Sequence, residues 1–95
     1  MDRFAQFETS LAGTRPPDGL SDHLQALWWL RHGQPERAHH LVQLLDDAGA
    51  AAIHAHVHRL EGDLDNARYW YRRAGVPFCH ESIEAEWRQL LERFV

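Results

Sequence analysis

HAHVHRLEGDLDNARYWYRRAG, residues 54–75, carries the fold of this chain in its spacing. It reads as a helix ending at Glu61, a Gly62-Asp63 turn, and a second helix with Ala67, Trp70, Tyr71 and Ala74 at i, i+3, i+4 and i+7. Glycine past the end of one helix and aspartate before the next are the usual stop and start signals. The same grammar occurs 29 residues earlier, since Gly33 aligns with Gly62, Ala26 with Ala55 and Ala38 with Ala67. There Gly33 closes a helix, Gln34-Pro35-Glu36 opens the next, and Ala38, Leu41, Val42 and Leu45 repeat the apolar spacing.

The flanking sequence extends this pattern to an all-α chain of five to six short helices with no candidate strand. A first helix from about Asp2 to Ala12 carries Phe4, Phe7 and Leu11 on one stripe, and residues 13–19, GTRPPDG, form a Pro/Gly loop. The second helix, about Ser21 to His32, has a wide apolar arc of Leu20, Leu24, Leu27, Trp28 and Leu30. The fourth, about Asp47 to Glu61, uses Ala50, Ile53, Val57 and Leu60. After the break at Gly75-Val76-Pro77, Ser82 caps a final helix bearing Ile83, Trp87, Leu90, Leu91 and Phe94. The expected organisation is one domain over 1–95: N-terminal helix and loop (1–19), hairpin one (20–47), hairpin two (48–76) and a closing helix (82–95).

A small residue midway along a first helix (Ala55), a Gly62-Asp63 turn, and then Ala67, Tyr71 and Ala74 resemble a tetratricopeptide repeat. The likeness is good over Ala51 to Pro77 and fair over Asp22 to Leu45. It departs in period, 29 residues against about 34, and in having two units. The same block is also similar to small bacterial proteins of no assigned function. The resemblance implies stacked antiparallel hairpins, with a groove lined by the first helix of each. In that register His23, Leu27, Leu30 and Arg31 face the groove from one helix, and His56 and Arg59 from the other.

Composition excludes several chemistries. The 95 residues carry a formal charge of −4, so no net positive field draws in nucleic acid or anionic lipid. All ten basic residues are arginine, which removes a P-loop, a Schiff-base lysine and a lysine general base. One cysteine, Cys79, cannot form an internal disulfide, and the acidic, amphipathic N-terminus does not read as a signal peptide. A cytoplasmic protein is the expectation.

Eight histidines set the chain apart. His54 and His58, at i and i+4, share a helix face that Glu61 continues, which is ligand spacing for Zn(II) or Fe(II). The zinc-protease signature is excluded because Ala55 stands where it needs glutamate. His56 points elsewhere, toward solvent. In the repeat register His54 and His58 take positions that are normally apolar, so their rings need partners. Tyr69, Glu61, Asp46, Asp47 and the Arg68/Arg72 pair are within reach. Three readings stay open for this cluster of His54, His58, Glu61, Tyr69 and Arg72: a structural network, a polar ligand pocket, or a divalent metal site on His54, His58 and Glu61.

The remaining candidates read as structural. Tyr69 to Arg73 mixes aromatic and basic residues, yet Trp70 and Tyr71 lie on the core stripe and the arginines in the last turn. Glu81, Glu84, Glu86 and Glu92 read as a solvated face. Trp28 and Trp29 splay apart, so one of them meets the first helix or another chain. Cys79-His80 has no catalytic pattern around it, and no catalytic residue is assigned. The leading expectation is a tetratricopeptide-like module that binds a protein or peptide, with no nucleic acid or membrane partner and no resident cofactor beyond the candidate metal. The alternatives are a small metal-binding protein or enzyme centred on His54, His58 and Glu61, and a self-associating helical subunit.

Overall fold

The computed structural model describes residues 2–95; Met1, the first position of the single-domain expectation, lies outside them. Six helices follow in order: α1 (Arg3–Ser10), α2 (Asp22–Arg31), α3 (Pro35–Gln43), α4 (Ala48–Leu60), α5 (Leu64–Ala74) and α6 (Ile83–Phe94). No strand occurs among the described residues. Five of the six helices begin after Asp2, Ser21, Asp47, Asp63 or Ser82, whose side-chain oxygen accepts the amide three residues on. Such a cap satisfies one of the amides a helix start leaves free, at about 1 kcal/mol each. The exception, α3, starts instead with Pro35, which has no amide to satisfy.

The 29-residue offset extends to backbone hydrogen bonds. Gly33 donates to Leu30 and Gln34 to Trp29; 29 positions on, Gly62 donates to Arg59 and Asp63 to His58. Gly33 and Gly62 sit at φ 70° and 80°, a left-handed conformation that glycine alone adopts without strain. Each turn reverses the chain, so α2 packs on α3 and α4 on α5, and the pairs join through α2 and α3 against α4. Ala38 and Ala67 are fully buried, as expected of small residues at close helix contacts.

α4 is the central helix. Nine consecutive residues, Gly49 to Val57, are buried, so no side of that segment faces water. An amphipathic stripe cannot describe a helix with neighbours all round. α3 and α5 pack on it, and so do α2 and α6. The last of these crosses both α2 and α4 and buries Trp87, Leu90 and Leu91, as a closing helix should. Its end sits so close to Gly49 that a Cβ there would stand 2.6 Å from the Phe94 ring.

Three core assignments shift. Tyr71, Val42, Ile53 and Val57 are buried as expected, but Leu41 and Trp70 are half-buried, and Leu60, in the last turn of α4, is 41% exposed. Trp28 is buried and its indole donates to Ser10 Oγ at 3.1 Å, so it meets the end of α1. Trp29 stays half-buried under the Arg37 guanidinium, 4.5 Å from its ring.

Ala67→Leu, which places three extra carbons where α5 meets α4, should lower stability by about 1–3 kcal/mol in urea titration. Leu44→Gln, at a 73% exposed position, should change it by less than about 0.5 kcal/mol.

Candidate functional site

The face lined by α2 and α4 exists, and α6 occupies it. Of the six residues assigned to that groove, five meet α6 directly or through its flanks. His23 stacks on Phe94 at 4.7 Å, and the Leu27 carbonyl accepts the Trp87 indole N–H at 2.9 Å. Arg31 grips Glu84 with both terminal guanidinium nitrogens and lies 4.0 Å over the Trp87 ring. His56 and Arg59 both bond Glu86. Leu30 is buried in the same core cluster.

Two expectations are overturned here together. His56 is 1% exposed rather than solvent-facing, and Glu86 is 5% exposed rather than part of a solvated face. α6 lies over the α4 surface that carries His56, so neither side chain keeps its water. Each finds the other instead: His56 Nδ1 donates to Glu86 Oε1 at 2.6 Å, and Arg59 Nη1 donates to the same oxygen at 2.8 Å. The Tyr71 hydroxyl, from α5, donates to Glu86 Oε2. Burial pushes the Glu86 carboxyl up, but the hydrogen bonds from His56 and Tyr71 and the charge of Arg59 outweigh it, so its pKa lies below the ordinary value. Burial and the Glu86 hydrogen bond push the Tyr71 phenol up, which keeps it a donor at any physiological pH. Glu81, Glu84 and Glu92 are exposed, as read from the sequence.

On another side of α4 lies a cluster of three imidazoles. His54, buried at 4% exposure, stacks on Trp70 of α5 with ring centroids 3.7 Å apart and 13° between planes. His58 stacks beside it at 5.0 Å, and His39 of α3 meets both edge-on, at 4.6 and 5.6 Å. One nitrogen from each of the three lies within 4.8 Å of the others. Burial, and then the neighbouring His39 and His58, lower the His54 pKa to about 4. His58 Nδ1 is buried and has no hydrogen-bond partner; Glu61 Oε1 is 3.5 Å from it and Asp63 Oδ2 is 4.0 Å.

The i, i+4 pairing of His54 and His58 thus brings them together, but the third imidazole is His39 rather than the Glu61 carboxylate. Glu61 is exposed and stands at the edge of the group. Tyr69 and Arg72 are also exposed: Tyr69 accepts from Arg73, and Trp70 rather than Tyr69 covers His54. Asp46 faces Arg73, Asp47 bonds His23, and Arg68 bonds Asp65. His39 carried no local signal, since its relation to α4 exists only once the hairpins stack. The half-buried Cys79 thiol is pushed up by burial and by the Glu86 charge, so it remains protonated and a poor nucleophile.

No known protein family matches the chain, and no characterised protein or solved structure is significantly similar to it. Among the described residues no helix is long and apolar enough to cross a membrane.

Glu86→Ala should cost about 3 kcal/mol, because it leaves the buried His56 and the half-buried Arg59 without their shared acceptor. Urea midpoints would measure it, and the His56→Ala/Glu86→Ala double variant should lose less than the sum of the singles.

A second expectation follows from His54. Its folded pKa lies below the unfolded value near 6.5, so between the two the unfolded chain binds more protons. Its contribution is therefore complete above about pH 6.5 and is lost as pH falls toward 4, up to about 3 kcal/mol in all. Urea midpoints across that range, with a chelator present, should flatten in His54→Gln. His40→Gln, at an exposed position, should leave the profile unchanged.

Proposed function

We propose that the chain is a tetratricopeptide-like interaction module whose groove recognises an amphipathic helix, and that α6 holds that groove in the free chain. One observation carries this reading. Five of the six side chains that the repeat register sends to the groove meet α6, through stacking, a backbone carbonyl, two arginine–glutamate ion pairs and a histidine–glutamate hydrogen bond. The occupant defines the chemistry of a partner. It is a helix presenting a carboxylate to His56 and Arg59, a second acid two residues earlier to Arg31, and a tryptophan and leucines to the apolar floor.

Groove binding of a helix uses apolar anchors at i, i+3, i+4 and i+7, and Trp87, Leu90, Leu91 and Phe94 have that spacing. The segment from Gly75 to Ser82, with Val76-Pro77 at its start, joins α6 to the hairpins and has no helix of its own. A partner helix, including α6 from a second copy, competes for the same face. A reducing, cytoplasmic setting suits the single cysteine.

The test is exchange. The full chain is partly unfolded in urea and refolded with a fluorescent peptide of residues 80–95. It should take the peptide up with a saturable rise in anisotropy, and a Glu86→Ala peptide should bind at least about tenfold more weakly. Failure to incorporate any peptide under these conditions would mean that the groove accepts α6 only as a covalent part of the chain, and the module reading would fall.

A further inference from the structure

We propose that His39, His54 and His58 form a binding site for a single divalent transition-metal ion of the Zn(II) type, bridging α3 and α4. The site is independent of the groove, which uses other residues of α4.

Three observations converge on it. One nitrogen of each imidazole lies within 4.8 Å of the others. In a tetrahedral zinc site, Zn–N bonds of about 2.0–2.1 Å place nitrogens about 3.3 Å apart, so modest side-chain rotations close the triangle. The rings free to make them are His39 and His58, which are half-buried. The third, His54, is clamped by its stack on Trp70 and provides the fixed point.

The second observation is the orphaned nitrogen. Among the described residues, His58 Nδ1 is the one buried side-chain polar atom without a hydrogen-bond partner. A buried unpaired nitrogen is costly, and its presence in an otherwise satisfied molecule points to a missing ligand. Metal binding relieves it through either nitrogen of the ring. If Nδ1 is the ligand, the ion is its partner. If Nε2 is the ligand, Nδ1–H is left for the Glu61 carboxylate, whose oxygen stands 3.5 Å away, and closing that gap would give the outer-sphere contact that orients metal-bound histidines.

The third is the donor set. Three imidazoles without thiolate suit Zn(II), Cu(II) and Ni(II), and exclude Mg(II) and Ca(II), which require oxygen. Three protein ligands leave a fourth position for water or an exogenous anion on the half-exposed side of the cluster. Glu61 and Asp63 beside His58 supply negative charge that favours a cation. The ion would link the second helix of one hairpin to the first helix of the next, so binding and hairpin stacking reinforce one another.

The experiment is calorimetric titration of the untagged full chain with Zn(II) at pH 7.5, alongside thermal melts with and without the ion. We expect one ion per chain with a dissociation constant on the order of 10⁻⁶ M or tighter, and a rise in Tm. His39→Ala and His58→Ala should each weaken binding at least about tenfold, and His40→Ala and His80→Ala, at exposed positions, should leave it unchanged. His54→Ala removes a buried ring from the core; His39→Asn and His58→Gln, at half-buried positions and checked by circular dichroism, carry the test without it. Absence of stoichiometric binding overturns the proposal. So does weakening in the His40 or His80 variants equal to that in His39→Ala, which would mark adventitious surface chelation.

Discussion

The carboxylate of Glu86 ties α6 to the second hairpin. It comes from α6 and accepts hydrogen bonds from His56 and Arg59 of α4 and from Tyr71 of α5. A buried charge with three donors tolerates little displacement, because moving any donor away exposes an uncompensated charge to a low-dielectric interior. Apolar burial of Trp87, Leu90 and Leu91 supplies the adhesion of α6, but apolar contact is non-directional. The polar cluster sets the rotation and axial position of α6. From that follow the Trp87 bond to the Leu27 carbonyl, the Arg31–Glu84 pair and the approach of Phe94 to Gly49.

Around that contact, α4 acts as an axle with chemically different sides. Toward α6 it presents His56 and Arg59, and toward α3 and α5 it presents His54 and His58. Residues 54, 56 and 58 alternate in sequence, yet helical rotation of about 100° per residue sends the middle one to a separate neighbourhood. His54 loses water and gains only aromatic and imidazole neighbours, so its neutral form is favoured. His56 loses water and gains a carboxylate. Identical side chains two residues apart thus enter opposite electrostatic environments.

How much of this could be read from the chain differs between fold and site. Helix boundaries rest on local chemistry. Asp63 caps α5 and Gly62 turns the chain before it because amides and φ angles are settled within a few residues, and the same logic identified Gly33, Pro35 and Ser82. The pairing of His54 with His58 is local too, being one helical turn. His39 was not legible, because its distance from His54 depends on how α3 stacks on α4. Glu86 was misread because Glu81, Glu84, Glu86 and Glu92 look alike in sequence until a neighbouring helix covers one of them.

The sequence by itself determined that the chain is all-helical, where Gly33, Gly62, Asp63 and Ser82 turn or cap it, which residues repeat at an offset of 29, and that the last helix is amphipathic. Each of these depends on hydrogen bonds and periodicities spanning a few residues. Tertiary structure alone decided what covers the face of α2 and α4, that His56 and Glu86 are interior partners, and that a third imidazole joins His54 and His58. These depend on contacts between segments distant in sequence, such as Leu27 with Trp87 and His39 with His54. Burial converts a surface acid or histidine into a structural element, and burial is a property of the assembled helices rather than of any one of them.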